Sequence, residues 1–316
     1  MSLIDDQLAQ LKTIDVPLTR QPDFDAFWDE TRARCEAAPL DTEYEVLDYP
    51  VESIEVRDLT YAGLDGTRIQ AWLILPRNAK GPIPCVVHYH GASGSRGFPH
   101  DFMPWLAMGV AVISIDFRMQ GGRTGSATGF TGCGSLYWMT LGIENPKTSY
   151  FYCVVTDCLR ALKLARETSG IDSARIAVEG GSQGGGAGLQ MAGLDQSVAL
   201  CMVDVPSWCW WEKRVFDRAG GGGQIANLLL RRPAMIDQVL HTLTYFDNLN
   251  HVGKITCPVL VSYGLKDPVC PPDCVHAACN KITAPLEMVP YPFGEHGGGG
   301  GWHFEPKLRF FKRHLL

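Results

Sequence analysis

The stretch "RIAVEGGSQGGGAGLQMAG", residues 175–193, decides how the rest of the chain is interpreted. Its apolar first part is typical of a buried strand, the glycines that follow predict a tight turn, and the remainder predicts a helix. Within the turn, Gly180-Gly181-Ser182-Gln183-Gly184 fits the G-x-S-x-G pattern of a strained strand-to-helix turn. Such a turn exposes the serine hydroxyl, and the flanking glycines relieve its crowding.

Glycine also fills the first turns of the predicted helix, at Gly184, Gly185, Gly186 and Gly188. Each glycine weakens a helix by roughly 0.5–1 kcal/mol relative to alanine, so several together indicate that another part of the chain packs closely there. A phosphate-binding glycine loop is the alternative interpretation. It is not favoured, because the stretch matches neither G-x-G-x-x-G nor G-x-x-x-x-G-K-[S/T]. Ser182 is therefore the candidate nucleophile.

Continuous apolar runs alternate with helical patterns from residue 84 onward. Runs that are apolar on both faces are typical of parallel strands covered by helices on each side. The fold class is therefore α/β, with a mostly parallel central sheet flanked by helices. The runs are 84–90, 110–116, 175–179, 199–204, 258–264 and 286–291. Two stretches rich in strand-forming residues, 54–60 and 68–75, precede them.

Helical patterns frame this sheet and interrupt it. The spacing of apolar residues predicts a helix over 23–38 with Asp23 as its N-cap and another over 150–167. An amphipathic helix carries the apolar residues between Phe304 and Leu315. Residues 205–250 separate two strands and contain helical patterns around a glycine loop, which is where a cap over the site would be inserted.

The composition is that of an ordinary globular protein, 46% hydrophobic and 20% charged. We interpret residues 1–316 as one domain, with an N-terminal helical and β extension over about 1–50 and a helical cap insertion over about 205–250. The formal charge of -6 disfavours nucleic acid and an anionic membrane surface as partners. The N-terminus lacks the features of a secretory signal, and no apolar stretch approaches the roughly 18–20 residues of a membrane helix.

The chain contains 11 cysteines. An odd number without a secretory signal argues against a disulfide framework and favours a reducing, cytoplasmic compartment. Cys270, Cys274 and Cys279 lie close together in the sequence but lack C-x-x-C pairing. They therefore do not predict a zinc site.

Asp267 is the candidate acid. In α/β-hydrolases the serine is followed along the chain by Asp or Glu and then by His. Asp267 comes just after the apolar run 258–264, in a loop punctuated by prolines. This is the carboxyl end of a predicted strand, where catalytic groups of such sheets lie. Asp204 also ends a predicted strand, but it precedes the cap and ranks second.

The candidate base is one of four histidines that follow the acid. His276 and His314 fall inside predicted helices. His296 follows the run 286–291 directly, in the loop "YPFGEHGGGGGWH" (291–303), where the base of such a triad belongs. His303 begins the terminal helix and ranks second. We therefore expect substitution of His296 to abolish turnover, and substitution of His303 to retain most of it.

The roles of these residues follow from proton chemistry. A serine hydroxyl is a poor nucleophile until a base takes its proton, so we expect His296 to act on Ser182. Asp267 would hold the imidazole tautomer and stabilise the imidazolium. The oxyanion would be bound by the N–H of Gln183 and by one from the loop "HYHGASGS" (88–95) after the first parallel strand.

Together these residues resemble carbohydrate esterase family 7, the acetyl xylan esterases and cephalosporin-C deacetylases, over nearly the whole chain. The matching segments are "DFDAFW" (23–28), "GFPHD" (97–101), "GGSQG" (180–184), "LTYFDNLN" (243–250), "GLKDPVCPP" (264–272) and "YPFGEHGGGG" (291–300). The resemblance implies an α/β-hydrolase fold and hydrolysis of small acetyl esters of sugars and cephalosporins, with neither metal nor cofactor. It implies ring-shaped hexamers with sites facing an interior cavity. It also assigns the triad to Ser182, Asp267 and His296, and the oxyanion donors to Gln183 and Ala92.

The chain departs from the family pattern in four places. The family usually has Tyr at Ala92, Gly at Met119, Glu at Gly297, and a Pro-Tyr pair near the loop Gly220–Gly223. In the family the Tyr and the Pro border the acyl pocket. We therefore expect an active serine esterase whose acyl pocket is roomier or differently shaped.

Cap residues are the candidates for lining that pocket, namely Trp208, Trp210, Trp211 and Gly221, although the tryptophans could equally pack the cap. A serine peptidase or a lactone hydrolase on the same fold is an alternative function. A non-catalytic binding protein of the same fold is another, but such proteins normally lack a triad member, and all three are present here.

Overall fold

The computed structural model describes residues 2–130 and 137–316. Their strands form one sheet in the order β1-β2-β3-β5-β4-β6-β7-β8-β9. The strands are β1 (Glu43–Leu47), β2 (Ile54–Ala62), β3 (Arg68–Pro76), β4 (Ile83–Tyr89), β5 (Ala111–Ile115), β6 (Ile171–Gly181), β7 (Val198–Asp204), β8 (Val259–Gly264) and β9 (Leu286–Tyr291). The neighbouring pairs β1–β2, β2–β3 and β3–β5 are antiparallel. The pairs β5–β4, β4–β6, β6–β7, β7–β8 and β8–β9 are parallel. The predicted mostly parallel sheet is confirmed.

Helices cover both faces of this sheet. They are α1 (Leu3–Lys12), α2 (Phe24–Ala37), α3 (Met103–Ala107), α4 (Tyr150–Glu167), α5 (Gln183–Leu194), α6 (Trp211–Phe216), α7 (Gly222–Arg231), α8 (Ile236–Thr244), α9 (Asn248–His251), α10 (Pro272–Cys279) and α11 (Gly301–Leu315). Helices α6 to α9 fall within the segment predicted as a cap. No helix among the described residues is long and apolar enough to cross a membrane.

Successive residues of the central strands enter two different cores. Val87 and Val178 belong to the larger core, with α2, α4 and α5, whereas their neighbours Val86 and Ala177 belong to the smaller core, with α3 and α11. Because side chains alternate between the faces of a strand, a strand buried on both faces needs an unbroken apolar sequence. This explains why the continuous runs, rather than alternating ones, predicted the central strands.

Most predicted strands agree with the structure to within two residues at each end. Strand β6 is longer, because it begins at Ile171 rather than at residue 175. Strand β1 was not predicted, since "EYEVL" is polar and lies mostly exposed at the sheet edge. Helix α2 begins after Asp23 as expected, but the Asp23 side chain does not cap it. Asp23 instead accepts a hydrogen bond from the Tyr245 hydroxyl at 2.5 Å.

The glycines of α5 lie against the ends of three segments, as their number predicted. A Cβ at Gly184 would come within 1.8 Å of the Tyr89 carbonyl oxygen at the end of β4. One at Gly185 would lie 2.8 Å from the Asp204 oxygen, and one at Gly186 would lie 2.6 Å from the Ser207 oxygen. These close approaches bring the start of α5 directly onto the carboxyl edge of the sheet.

Candidate active site

Ser182 occupies the sharp turn between β6 and α5. Its backbone has φ 56° and ψ -116°, a conformation that residues other than glycine rarely adopt. Three backbone hydrogen bonds hold this turn in place. The Ser182 N–H donates to the Asp204 carbonyl at 2.9 Å, and the Ser182 carbonyl accepts from Gly186 at 2.9 Å and Ser207 at 2.8 Å. The turn therefore presents the hydroxyl at the carboxyl edge of the sheet.

The three residues singled out as nucleophile, base and acid form one hydrogen-bonded row. Ser182 Oγ lies 2.9 Å from His296 Nε2. His296 Nδ1 lies 2.9 Å from Asp267 Oδ2 and 3.2 Å from Oδ1. The residues follow β6, β9 and β8, whose carboxyl ends lie at the same edge of the sheet. With the proton of the imidazole on Nδ1, Nε2 is free to accept the proton of the serine hydroxyl.

Asp267 is the fixed end of this row. Its side chain is fully buried, and Oδ1 accepts the N–H groups of Val269 at 2.7 Å and Cys270 at 2.9 Å. The hydrogen bond that His296 donates to Asp267, followed by the contact with the Cys270 sulfur, raises the pKa of His296 above its ordinary value. Such a shift stabilises the imidazolium that forms when the serine gives up its proton.

The two expected oxyanion donors lie on either side of Ser182. Gln183 is the first residue of α5, where N–H groups have no partner inside the helix. A Cβ at Gly91 would lie 3.9 Å from the Ser182 Cβ, so the backbone that leads into Ala92 runs past the nucleophile. The N–H of Ala92 donates to no acceptor among residues 2–130 and 137–316. The backbone of Gln183 and the backbone that leads into Ala92 thus both lie close to the Ser182 side chain.

Gln120 connects the loop that contains Ala92 to the side chain of Gln183, and the sequence predicted no role for it. Its Oε1 accepts the Ser93 N–H at 2.7 Å and the Gln183 side-chain amide at 3.3 Å. Its amide donates to the Tyr150 hydroxyl at 2.9 Å. The signal in the sequence was its place just after β5, at the same edge of the sheet as Ser182.

A second feature that the sequence did not predict is a cysteine–arginine pair beside the imidazole. Arg214 is 1% exposed, and its Nη1 donates to Cys270 Sγ at 3.3 Å. Burial alone would raise the pKa of the Cys270 thiol, but the Arg214 charge and the hydrogen bond with His296 outweigh it and lower that pKa. Ligand atoms of Asp267, Cys270 and His296 all lie within 4.8 Å of one another, so these three could hold a metal ion.

The cap residues predicted for the acyl pocket have other contacts. The rings of Trp208 and Trp211 are each 1% exposed, and both pack edge-on against Phe151. Trp210 is half-buried and borders a surface cavity whose lining includes none of the three residues of the row. A Cβ at Gly221 would meet the Met139 sulfur at 2.4 Å. These contacts are those of cap packing.

The residues that ranked second, Asp204 and His303, face each other in a separate cluster behind the nucleophile. His303 Nε2 lies 3.7 Å from Asp204 Oδ1, and His303 Nδ1 lies 3.0 Å from the Tyr291 hydroxyl. Buried Lys307 forms ion pairs with Asp204 and, at 2.9 Å, with Glu179. This cluster connects α11 to the neighbouring strands β6 and β7, and Ser182 follows β6 directly.

Three departures from the family pattern have a clear local setting. Met119 adopts φ 59°, a left-handed conformation that glycine reaches without cost, and its side chain is 43% exposed. A Cβ at Gly297 would meet no heavy atom within 4 Å. The loop around Gly220 packs on Val269, next to Cys270, and on Arg214. The cap glycines thus lie against the loop that carries Asp267.

Comparison with known proteins gives consistent similarities. The model of the family described as "Acetyl xylan esterase (AXE1)" matches residues 1–314. The acetyl xylan esterase from Paenibacillus sp. R4 superposes with a TM-score of 0.94 at 37% identity, with 100% of both chains covered. Acetyl xylan esterase 1 from Thermoanaerobacterium sp. JW/SL YS485 superposes with a TM-score of 0.91 at 26% identity, covering 100% of this chain and 99% of that one. Acetyl esterase Axe7A of Xylanibacter ruminicola is 27% identical over 288 residues. The match covers 89% of this chain and 64% of the length of that relative.

Proposed function

Because this chain belongs to the acetyl xylan esterase family, we propose that it is a carboxylic ester hydrolase that cleaves small acyl esters, with acetylated sugars as the main substrate class. The observation that carries the proposal is the hydrogen-bonded row from Ser182 through His296 to buried Asp267. As the family resemblance implies, the proposed reaction needs neither a metal nor a cofactor.

The first half of the reaction transfers the acyl group to the enzyme. Ser182 Oγ attacks the ester carbonyl carbon while His296 Nε2 takes the hydroxyl proton, and the carbonyl oxygen becomes an oxyanion. Asp267 keeps the Nδ1–H directed toward itself and stabilises the imidazolium. When the tetrahedral intermediate collapses, His296 returns the proton to the leaving alcohol, and the acyl group stays on Ser182.

The second half releases the acid. A water molecule gives a proton to His296 and attacks the acyl carbon, and the second intermediate then expels Ser182 Oγ, which regains its proton from the imidazolium. In both halves the oxyanion is bound by the N–H groups of Gln183 and Ala92. Loss of one such donor typically costs roughly 100- to 1000-fold in kcat. Because Ala92 contributes a backbone group, the absence of the usual tyrosine leaves this function intact.

We propose further that the acyl pocket is wider than is usual in the family. The support is Ala92, which presents only a methyl group where a tyrosine side chain usually borders the pocket. Trp208 and Trp211 pack inside the cap, so we favour the Ala92 side of the site as the origin of the extra space.

A series of p-nitrophenyl esters tests the width of the pocket. We expect the wild-type enzyme to hydrolyse the butyrate with a kcat/KM within about tenfold of the acetate, because a wide pocket accepts the two added methylenes without a clash. In a pocket that does not fit them, each methylene is worth roughly 1–3 kcal/mol, or about 10- to 200-fold. Ala92→Tyr should keep acetate turnover and lose butyrate turnover. A steep fall from acetate to butyrate in the wild type would contradict the wide pocket.

Labelling and substitution test the triad. A fluorophosphonate should label the wild type at Ser182 and should not label Ser182→Ala. His296→Ala should lower kcat by about 1000-fold or more with the fold intact, as for other triads. His303→Ala should retain most of the activity, normalised to the amount of folded protein that circular dichroism reports. The reverse ranking of the two histidines would reassign the base. A folded wild-type protein that resists labelling would instead favour a non-catalytic binding protein.

The remaining alternatives concern substrate and assembly. A peptidase or lactone hydrolase on this fold would be revealed by dipeptide amides or lactones turned over faster than acetylated sugars and cephalosporin C. We propose a cytoplasmic homohexamer. The family resemblance supports the hexamer, and the free, buried cysteines among the described residues support a reducing compartment. Light scattering behind a sizing column should give six times the mass of one chain, and a monomer would refute the hexamer.

A further inference from the structure

A buried sulfur lies close to both the proposed base and the proposed acid. Asp267, Cys270 and His296 each offer one ligand atom, and these atoms lie within 4.8 Å of one another. His296 Nδ1 to Asp267 Oδ2 is the closest pair, at 2.9 Å. Carboxylate oxygen, thiolate sulfur and imidazole nitrogen are the three donor types that zinc accepts. The cysteines closest in sequence, Cys274 and Cys279, lie outside this cluster of described residues.

One donor pair of the cluster is already close to the spacing that a tetrahedral ion requires, and the sulfur lies within 4.8 Å of both atoms. Zinc bonds of roughly 2.0–2.3 Å at tetrahedral angles put neighbouring ligand atoms about 3.4–3.6 Å apart. The Nδ1–Oδ2 distance needs to open by only about half an ångström to reach that value. The His296 side chain is 35% exposed, so one of the three ligand side chains borders solvent. The fourth position would be left to water.

Arg214 prepares the sulfur for this role. The guanidinium is buried, donates to Cys270 Sγ, and forms no ion pair with a carboxylate within residues 2–130 and 137–316. This hydrogen bond holds the Cys270 sulfur beside Asp267 and His296. A divalent ion that binds there displaces the thiol proton, as metal ions do at other cysteine sites.

We propose that Asp267, Cys270 and His296 form a binding site for a thiophilic divalent cation such as Zn²⁺ or Cd²⁺, and that occupation of this site turns the esterase off. The ion takes the place of the Nδ1 proton. A neutral imidazole coordinated through Nδ1 carries its one proton on Nε2, so it has no lone pair left to accept the proton of Ser182. The inhibition rests on the proposed function, whereas the binding does not.

Binding and inhibition are measured separately on the full chain after chelator treatment. Cd²⁺ is titrated while the ultraviolet charge-transfer absorption of the cadmium–thiolate bond is recorded, and calorimetry gives the stoichiometry. Zn²⁺ inhibition of p-nitrophenyl acetate hydrolysis is expressed relative to the zinc-free rate of each variant. Cys270→Ser removes the sulfur ligand, and Cys274→Ser is the matched control, because Cys274 is equally buried at 1% exposure. Ca²⁺ and Mg²⁺, which prefer oxygen ligands, are the control ions.

We expect one Cd²⁺ per chain with thiolate absorption, and Zn²⁺ inhibition that a chelator reverses, in both the wild type and Cys274→Ser. Cys270→Ser should lose the absorption and need at least about tenfold more Zn²⁺ for half-inhibition, in line with the loss of one ligand. Ser182→Ala should still bind Cd²⁺, which separates the metal site from the proposed reaction. His296→Asn, at a partly exposed position, serves as the second ligand deletion and should also weaken binding.

Four results would overturn the proposal. The first is a wild type without thiolate absorption, and the second is a Cys270→Ser variant with unchanged absorption and Zn²⁺ sensitivity. The third is full esterase activity with the Cd²⁺–thiolate bond formed, which would leave a binding site without the inhibition. Equal sensitivity to Ca²⁺ would likewise contradict a site built on sulfur and nitrogen.

Discussion

The contact between α5 and β4 allows a sharp test of how the nucleophile is placed, through Gly184→Ala. The added Cβ would lie 1.8 Å from the Tyr89 carbonyl oxygen and 2.9 Å from that of His90. Because real Cβ atoms essentially never approach within 3.0 Å of another group, helix and strand must separate by roughly an ångström. Both partners are backbone atoms, so no side chain can rotate away to absorb the change.

The expected magnitude follows from two opposing effects. Overpacking a tightly packed site costs about 1–3 kcal/mol and occasionally more, and a clash with two carbonyl groups of a central strand belongs at the upper end. Alanine in place of glycine stabilises a helix by about 0.5–1 kcal/mol, which offsets part of this cost. We therefore expect the free energy of unfolding to fall by about 2–3 kcal/mol. The kcat should also fall, because the displaced His90 carbonyl lies one peptide group before the one that carries the Ala92 N–H.

Urea denaturation followed by circular dichroism measures the change in unfolding free energy. Gly301→Ala is the matched control, since it lies in α11 and a Cβ there meets no heavy atom within 4 Å. It should be neutral or stabilise the protein by up to about 1 kcal/mol. If Gly184→Ala unfolds at the same urea concentration as the wild type, the close approach of α5 to β4 is not a feature of the folded protein, and this reasoning is wrong.

Further predictions concern the charged groups around the site. Lys307→Met should destabilise the fold by about 3–5 kcal/mol, because Glu179 is left as a buried carboxylate without its cation; exposed Lys312→Met on the same helix should change unfolding in urea by less than about 0.5 kcal/mol. The sulfur of Cys270 helps to raise the pKa of His296, and the base is active only when neutral, so Cys270→Ser should move the acidic limb of the kcat/KM profile to lower pH. An unchanged limb would show that the thiol has no charge in the active enzyme.

The sequence was most informative where one physical requirement leaves few choices. Strands covered on both faces need unbroken apolar runs, and a strained turn needs small neighbours, so β4 to β9 and the Ser182 turn could be located from the residues alone. The order of the chain then narrowed the choice of acid and base. The structure brings Asp267 and His296 into one row with Ser182, while their roles await the experiments above.

Contacts that depend on tertiary packing could not be predicted in this way. Arg214 and Cys270 are 56 residues apart and carry no motif, so only the folded cap brings them together. Gln120 meets Ser93 and Gln183 from a different strand end. The cap also contains left-handed backbone at Trp208 and Trp210, which their residue types disfavour. From the sequence, their rings were candidates for lining a pocket. In the structure the ring of Trp208 is buried and packs against Phe151.

The order of the strands has a consequence for how the enzyme loses activity under mild stress. Strand β9, which leads into the loop of His296, is one of the two edge strands of the sheet, and β8 is its only partner within residues 2–130 and 137–316. Its residues are partly or fully exposed, whereas those of β8 are all buried. Edge segments of this kind open in local fluctuations that need less free energy than global unfolding. Amide hydrogens of β9 should therefore exchange faster than those of β8, and the imidazole should leave the row while Ser182 and Asp267 are still in place.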